Sequence, residues 1–208
     1  IAGTGLTTGG DNVAIGYQAL RRATTAADEN IAIGRDTMGG NFTTADVNGC
    51  VAVGYDALSG TLTSGALGTV AIGQQSLKAL TSGASNVAVG YEAGILTTTG
   101  TRNVYMGYEA AEVGVDASFN VAIGFEAFSK SDVGDNNVAI GNKALQDFDG
   151  ADNAGANVAV GSIAMLNSST AVNSTAVGYR ALGEAVTTGD YNVSMGRQAL
   201  YSNTTGTY

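Results

Sequence analysis

Histidine, proline and tryptophan are absent from this chain of 208 residues, and cysteine occurs once. Without histidine there is no imidazole to serve as general base, to ligate a metal, or to activate a serine or cysteine. The single thiol, Cys50, cannot close an intrachain disulfide, so cysteine usage leaves the redox compartment open. Without proline, the 31 glycines belong neither to collagen nor to a polyproline linker. Charge is also scarce: 13% of residues carry it, the net value is −9, and lysine and arginine form no cluster. Nucleic acids and anionic membranes both require a basic footprint, so neither is expected as a partner. No run approaches the roughly 20 apolar residues that span a bilayer.

What the chain does contain is a repeated phrase. NVAIGYQAL (12–20) returns as NVAVGYEAG (86–94), NVAIGFEAF (120–128), NVAIGNKAL (137–145) and, altered, as STAVGYRAL (174–182). Its glycine falls at 16, 34, 54, 73, 90, 107, 124, 141, 161, 178 and 196, at spacings of 17 to 20. Periods of this length point to a solenoid, and an apolar share of 44% means that each unit buries something.

Each position of the phrase has a character of its own. Three residues before the glycine stands Val or Ile in ten copies and Thr175 in one; directly before it stands Ile, Val or Met. Two before it stands Ala in nine copies, with Tyr105 and Ser194 as exceptions. Side chains alternate along a strand, so one face is large and apolar and the other small. Four before the glycine, Asn appears eight times and Cys50, Thr69 and Ser174 fill the rest. Asparagine suits a strand entry because it tolerates the left-handed conformation, and stacked units would bring these amides into a ladder. Residues such as Leu20, Met38, Leu58, Phe128 and Met165, four after the glycine, are expected to drop one large side chain into the core from a second short strand or turn. A helix is the rival for these segments, but four or five residues do not overcome nucleation. All variation in spacing lies between the phrases, which places the loops at a solvent-facing edge.

One unit cannot bury its own Val/Ile face; stacked about 4.8 Å apart, eleven units make a rod on the order of 50 Å long. Seventeen residues are short for a three-sided coil and adequate for a two-sided roll. The Ala/Gly face would then remain uncovered, and a rod with one exposed apolar face is expected to close as a cyclic oligomer. On this reading Ala14, Ala32, Ala52, Ala71, Ala88, Tyr105, Ala122, Ala139, Ala159 and Ala176 line an interface between chains, and the coil of Tyr105 departs from regularity.

The residues N-V-A-I-G-Y-x-A-L resemble phage tail-fibre proteins built from long runs of such repeats, and are similar to the head repeats of trimeric autotransporter adhesins. The resemblance covers essentially the whole chain, and the 17–20 spacing with the GYxAL ending favours the tail-fibre type. It implies a left-handed parallel β-roll in each of three chains, and a structural role in host attachment on a virion. The alternatives are an adhesin head on a bacterial surface and an extracellular filament module. The chain starts and stops within a unit, which suits a segment of a longer fibre forming a single repeat-array domain over 1–208.

Several residues invite sharper readings. The aromatic after the glycine recurs as Tyr17, Tyr55, Tyr91, Tyr108, Phe125 and Tyr179, a candidate glycan-contacting stripe, since tyrosine stacks on sugars; packing at a solvent edge is the plainer reading. Acidic groups at Asp28–Glu29, at Asp132 and Asp135, and at Asp147, Asp149 and Asp152 could pair as in glycosidases, yet all lie in or beside loops, where solvated turn residues are the default. The last group, with Asn153, faintly resembles a calcium loop but lacks its closing glutamate. Threonines such as Thr97–Thr99 lie in loops rather than at a fixed strand position, against an ice-matching lattice. No catalytic residue, metal or cofactor is expected, and the expected partners are sister chains and a host receptor or glycan.

Overall fold

The computed structural model of the chain describes residues 2–5, 9–22, 27–42, 47–63, 65–131, 134–148, 155–168, 171–183 and 189–206. Eleven three-residue strands carry the fold: β1 (Val13–Ile15), β2 (Ile31–Ile33), β3 (Val51–Val53), β4 (Val70–Ile72), β5 (Val87–Val89), β6 (Val104–Met106), β7 (Val121–Ile123), β8 (Val138–Ile140), β9 (Val158–Val160), β10 (Thr175–Val177) and β11 (Val193–Met195). They form one parallel sheet in sequence order, the stack of an all-β solenoid. Register follows the phrase throughout. Val13 lies beside Ile31, Ala14 beside Ala32 and Ile15 beside Ile33, and even Tyr105 pairs in place with Ala88 and Ala122. Loop length varies without moving a strand. No helix occurs among the described residues; the segments after the glycine are turns.

The coil closes tightly because four of its backbone positions have positive φ. Around Gly124 these are Phe119 (60°), Gly124 itself (138°), Glu126 (50°) and Phe128 (57°), and the same positions recur in the other coils. Each non-glycine residue of this kind costs about 1–2 kcal/mol. Hydrogen bonds between coils offset the cost: the N–H of Phe119 donates to Thr101 O, that of Glu126 to Tyr108 O, and that of Phe128 to Ala144 O, at 2.9 to 3.0 Å. The left-handed residue at the strand entry sits one position before the asparagine, not at the asparagine as its identity suggested. The glycine is required twice over. Its φ lies where L side chains are strained, and a Cβ on Gly124 would stand 2.4 Å from Gly141 O.

The two faces of the strand are the reverse of the expectation. Ala32, Ala52, Ala71, Ala88, Tyr105, Ala122, Ala139, Ala159 and Ala176 are fully buried inside the single chain, and Ala14 in the first coil is partly buried against the same core. These ten residues therefore do not line a surface open to another chain. The Val/Ile face points outward instead. The reason is volume: Leu20, Met38, Leu58, Leu77, Leu145, Met165 and Leu182 enter from the opposite wall, with Phe42, Leu62, Leu80 and Phe148 behind them, all buried. A flat coil with that much bulk on one wall admits only alanine on the other.

Tyr105 shows the same bookkeeping in one coil. Its ring is fully buried, and the positions around it that carry large side chains elsewhere are here Gly94, Thr97, Ala111 and Gly114. A Cβ on Gly94 would come within 2.8 Å of Tyr105 Cδ2, and one on Gly114 within 3.7 Å of its hydroxyl. The coil stays regular because its neighbours give up the volume. The Tyr105 hydroxyl and the nearby Thr97 Oγ1 make no hydrogen bond, and burial pushes the phenol well above its ordinary pKa.

The expected asparagine ladder is present and stitches the stack. Asn103 Oδ1 accepts from the backbone N–H of Asn120 (2.8 Å), while its Nδ2 donates to Asn86 Oδ1 (3.1 Å) and to the loop carbonyl of Ala117 (2.8 Å). Asn30, Asn86, Asn120 and Asn157 repeat two of these bonds, accepting from the next coil's backbone N–H and donating to a loop carbonyl. At Cys50 the ladder falters: its Sγ donates to Ala66 O at 3.0 Å, standing in for an amide, but the next coil's buried Thr69 Oγ1 is left unpaired. Burial raises the thiol's pKa.

Candidate functional site: the outer face and the aromatic column

The outward residues of the strands form two adjacent columns along the rod. One runs Val13, Ile31, Val51 and onward to Val193; the other runs Ile15, Ile33, Val53 and onward to Met195. Their members are half-buried or exposed, with Ile72 at 38%, Met106 at 41% and Ile140 at 36% in interior coils. All are apolar except Thr175. The strand geometry that turns alanine inward forces these branched side chains out.

The six aromatics of the proposed stripe share one column just past the glycine, and all are exposed. The structure brings them together in groups, by stacking at the spacing of the coils. Tyr91 and Tyr108 lie 5.0 Å apart at 11°, and Tyr108 and Phe125 lie 5.3 Å apart at 9°. Arg35 sits between Tyr17 and Tyr55, its Cζ 5.9 and 5.6 Å from their centroids; Arg180 and Arg197 lie 5.4 and 5.8 Å from the centroid of Tyr179. The arginines that interrupt the aromatic pattern in the sequence thus continue the column by cation–π contact. A sugar stacks on a free ring face, and most of these faces are taken by neighbours. What the column offers along most of its length is ring edges and hydroxyls.

Beside it runs an acidic row, Glu92, Glu109 and Glu126. Glu126 is paired with Lys143 Nζ (3.2 Å) and accepts from Gln146 Nε2 (2.5 Å). Glu109, accepting from the Tyr108 hydroxyl, pushes that phenol up to about 12, and Glu92 raises Tyr91 in the same way. Glu112, partly desolvated and facing Glu109, Glu92 and Glu126, is raised above its ordinary carboxylate value.

The acidic loop residues have structural duties where they are described. Asp28 Oδ1 accepts from Gly10 N–H (2.6 Å), Asp135 Oδ1 from Ser118 N–H (2.7 Å) and Asp190 Oδ1 from Val172 N–H (3.0 Å). These link one coil to the next. Asp147 pairs with Lys130 at 2.7 Å. Asp132, Asp149, Asp152 and Asn153 lie outside the described residues. Among the described residues no group of three or more acidic, cysteine or histidine side chains is placed to hold a metal. A hollow of about 270 Å³ at the loop edge is lined by Asp135, Asn136, Gly155, Ala156, Val172 and Asn173; another of about 180 Å³ lies between Ile163, Arg180 and Tyr201.

Sequence reasoning found every strand and the aromatic column, but treated the Val/Ile face as interior. The missed signal is the exchange of bulk between Tyr105 and Gly94, Ala111 and Gly114, which places both sets in one shared space. No protein-family model matches the chain, and no curated protein or solved structure does either.

Proposed function

We propose that this chain is a structural, non-catalytic segment of a phage tail-fibre shaft, a left-handed β-roll assembled as a homotrimer that holds a receptor-binding tip away from the virion. The observation that carries the reading is the unbroken register of eleven coils despite loops of different length. A chain built this way sets distance along an axis, about 48 Å over ten inter-strand steps, and its inter-coil bonds give rigidity rather than a reaction site. The resemblance of the repeat to tail-fibre proteins supplies the virion, and loops or a distal tip would meet a host receptor or glycan. Antibodies raised against the purified chain should decorate fibres on virions in electron micrographs. Decoration of a bacterial surface would favour the adhesin head instead, and hydrolysis of capsular polysaccharide by the purified chain would end the non-catalytic reading.

A further inference from the structure

We infer that the outer Val/Ile face is the surface through which copies of this chain join, each laying its stripe against the same stripe of another copy. The inference rests on the fibre reading and adds to it the surface by which the fibre is held together.

Composition comes first. Across eleven coils the two outward columns contain no charged residue and a single hydroxyl, that of Thr175. Monomeric proteins rarely leave an apolar patch of this continuity wet. Size comes second. The three-residue strand with one position on either side is about five residues wide, or about 16 Å, and the face is about 48 Å long; the resulting footprint of roughly 770 Å² matches the roughly 800 Å² per partner of a standard specific interface.

Periodicity selects the occupant. A partner must present apolar groups at the same step of about 4.8 Å over the same length. The same face of a second copy does so level by level, because every strand keeps its register. The borders agree. On one side stands the column of Tyr17, Arg35, Tyr55 and Tyr108; on the other stand exposed Arg102 and Phe119, joined by a contact of 5.3 Å. An apolar middle rimmed by tyrosine and arginine is the anatomy of a protein interface. The carboxylates of Glu92, Glu109 and Glu126 fall outside the stripe, and the two that share the border column with Arg102 and Phe119, Asp11 and Glu29, stand only at the first two coils.

The test uses the full chain. Light scattering of the wild type should give a multiple of the single-chain mass. Ile123→Lys/Ile140→Lys should lower it to that of one chain with the β signal in circular dichroism retained, whereas Leu96→Lys, at an exposed position off the stripe, should leave the assembly intact. Should the double variant unfold, cysteines placed in a Cys50→Ser background decide: Ile140→Cys should form disulfide-linked pairs on mild oxidation and Leu96→Cys should not. An assembly that tolerates both lysines, or an Ile140→Cys that fails to link within an oligomer, overturns the surface while leaving the fibre reading in place. A wild type that remains a single chain at high concentration overturns both and leaves the stripe to a foreign partner.

Discussion

Exchanging bulk between Tyr105 and Gly94 tests how the core is filled. Tyr105→Ala empties a fully buried site and should cost about 3–5 kcal/mol, as large aromatic truncations do. Gly94→Leu forces a Cβ to 2.8 Å from Tyr105 Cδ2 and 2.9 Å from Leu77 Cδ2, an overpacking worth about 1–3 kcal/mol. The backbone itself accepts leucine there: Gly94 has φ 62°, and Leu77 and Leu145 occupy the equivalent position at 47° and 51°. If the two side chains share one space, the double variant rebuilds the alanine–leucine pair of the other coils. It should then recover at least about 2 kcal/mol of the summed losses, a coupling in the range found for touching residues. Guanidinium midpoints, together with hydrogen exchange at the Val104 and Val121 amides, would measure it locally, which matters because repeat arrays need not unfold in one step. Strict additivity of the two changes would refute the shared-space account. Tyr105→Phe, which deletes only an unpaired hydroxyl, should change stability by less than about 1 kcal/mol.

Other expectations follow from the same geometry. Gly124→Ala should cost about 3–5 kcal/mol, combining backbone strain with loosening of the bonds from Gly124 N to Met106 O and from Gly141 N to Ile123 O; Gly196→Ala, with φ 119° but nothing within 4 Å, should cost about 1–3 kcal/mol, and equal losses in urea unfolding would sink the steric argument. Cys50→Asn should extend the amide ladder and add about 1 kcal/mol, read as a raised thermal midpoint, while the wild-type thiol should alkylate slowly in the folded chain because burial raises its pKa. Glu112 is raised in the fold, so its protonated form is the favoured one: its contribution is present below the ordinary value of 4.5 and is lost as pH climbs through the folded pKa. Glu112→Gln should accordingly be more stable than the wild type at pH 7, with the gap closing below pH 4.5, and a gap independent of pH would contradict this. Absorbance titration should place one tyrosine midpoint near 12, and Glu109→Gln should bring it down.

Much of the architecture was legible because the phrase recurs in phase. The β-branched residues at 13 and 15 with Ala14 between them announce a strand, and the fixed glycine announces a stack in which backbones meet too closely for a Cβ. The ladder through Asn86, Asn103 and Asn120 could be foreseen from identity and spacing alone. Which face turns inward could not be read from alternation, since Val13 and Ala14 are both apolar and the pattern is symmetric between them. Volume settles it, and volume depends on side chains that arrive from elsewhere in the coil, Leu58 and Leu62 among them. The left-handed residues at Glu126 and Phe128 were equally hidden, because their identities carry no preference for that conformation; only the bonds received from adjacent coils hold them there. The aromatic column was visible as a list of residues, but the part played by Arg35 and Arg197 in completing it depends on how successive coils stack their side chains.

The strands lie across the rod and their hydrogen bonds run along it, with consequences for a filament under tension. A pull between the two ends loads the outermost bonds directly, so the chain should peel from an end one coil at a time instead of shearing all at once. Each released coil of 17 to 20 residues pays out about 60 Å of slack. Stretching such a segment would therefore dissipate load in small, countable steps.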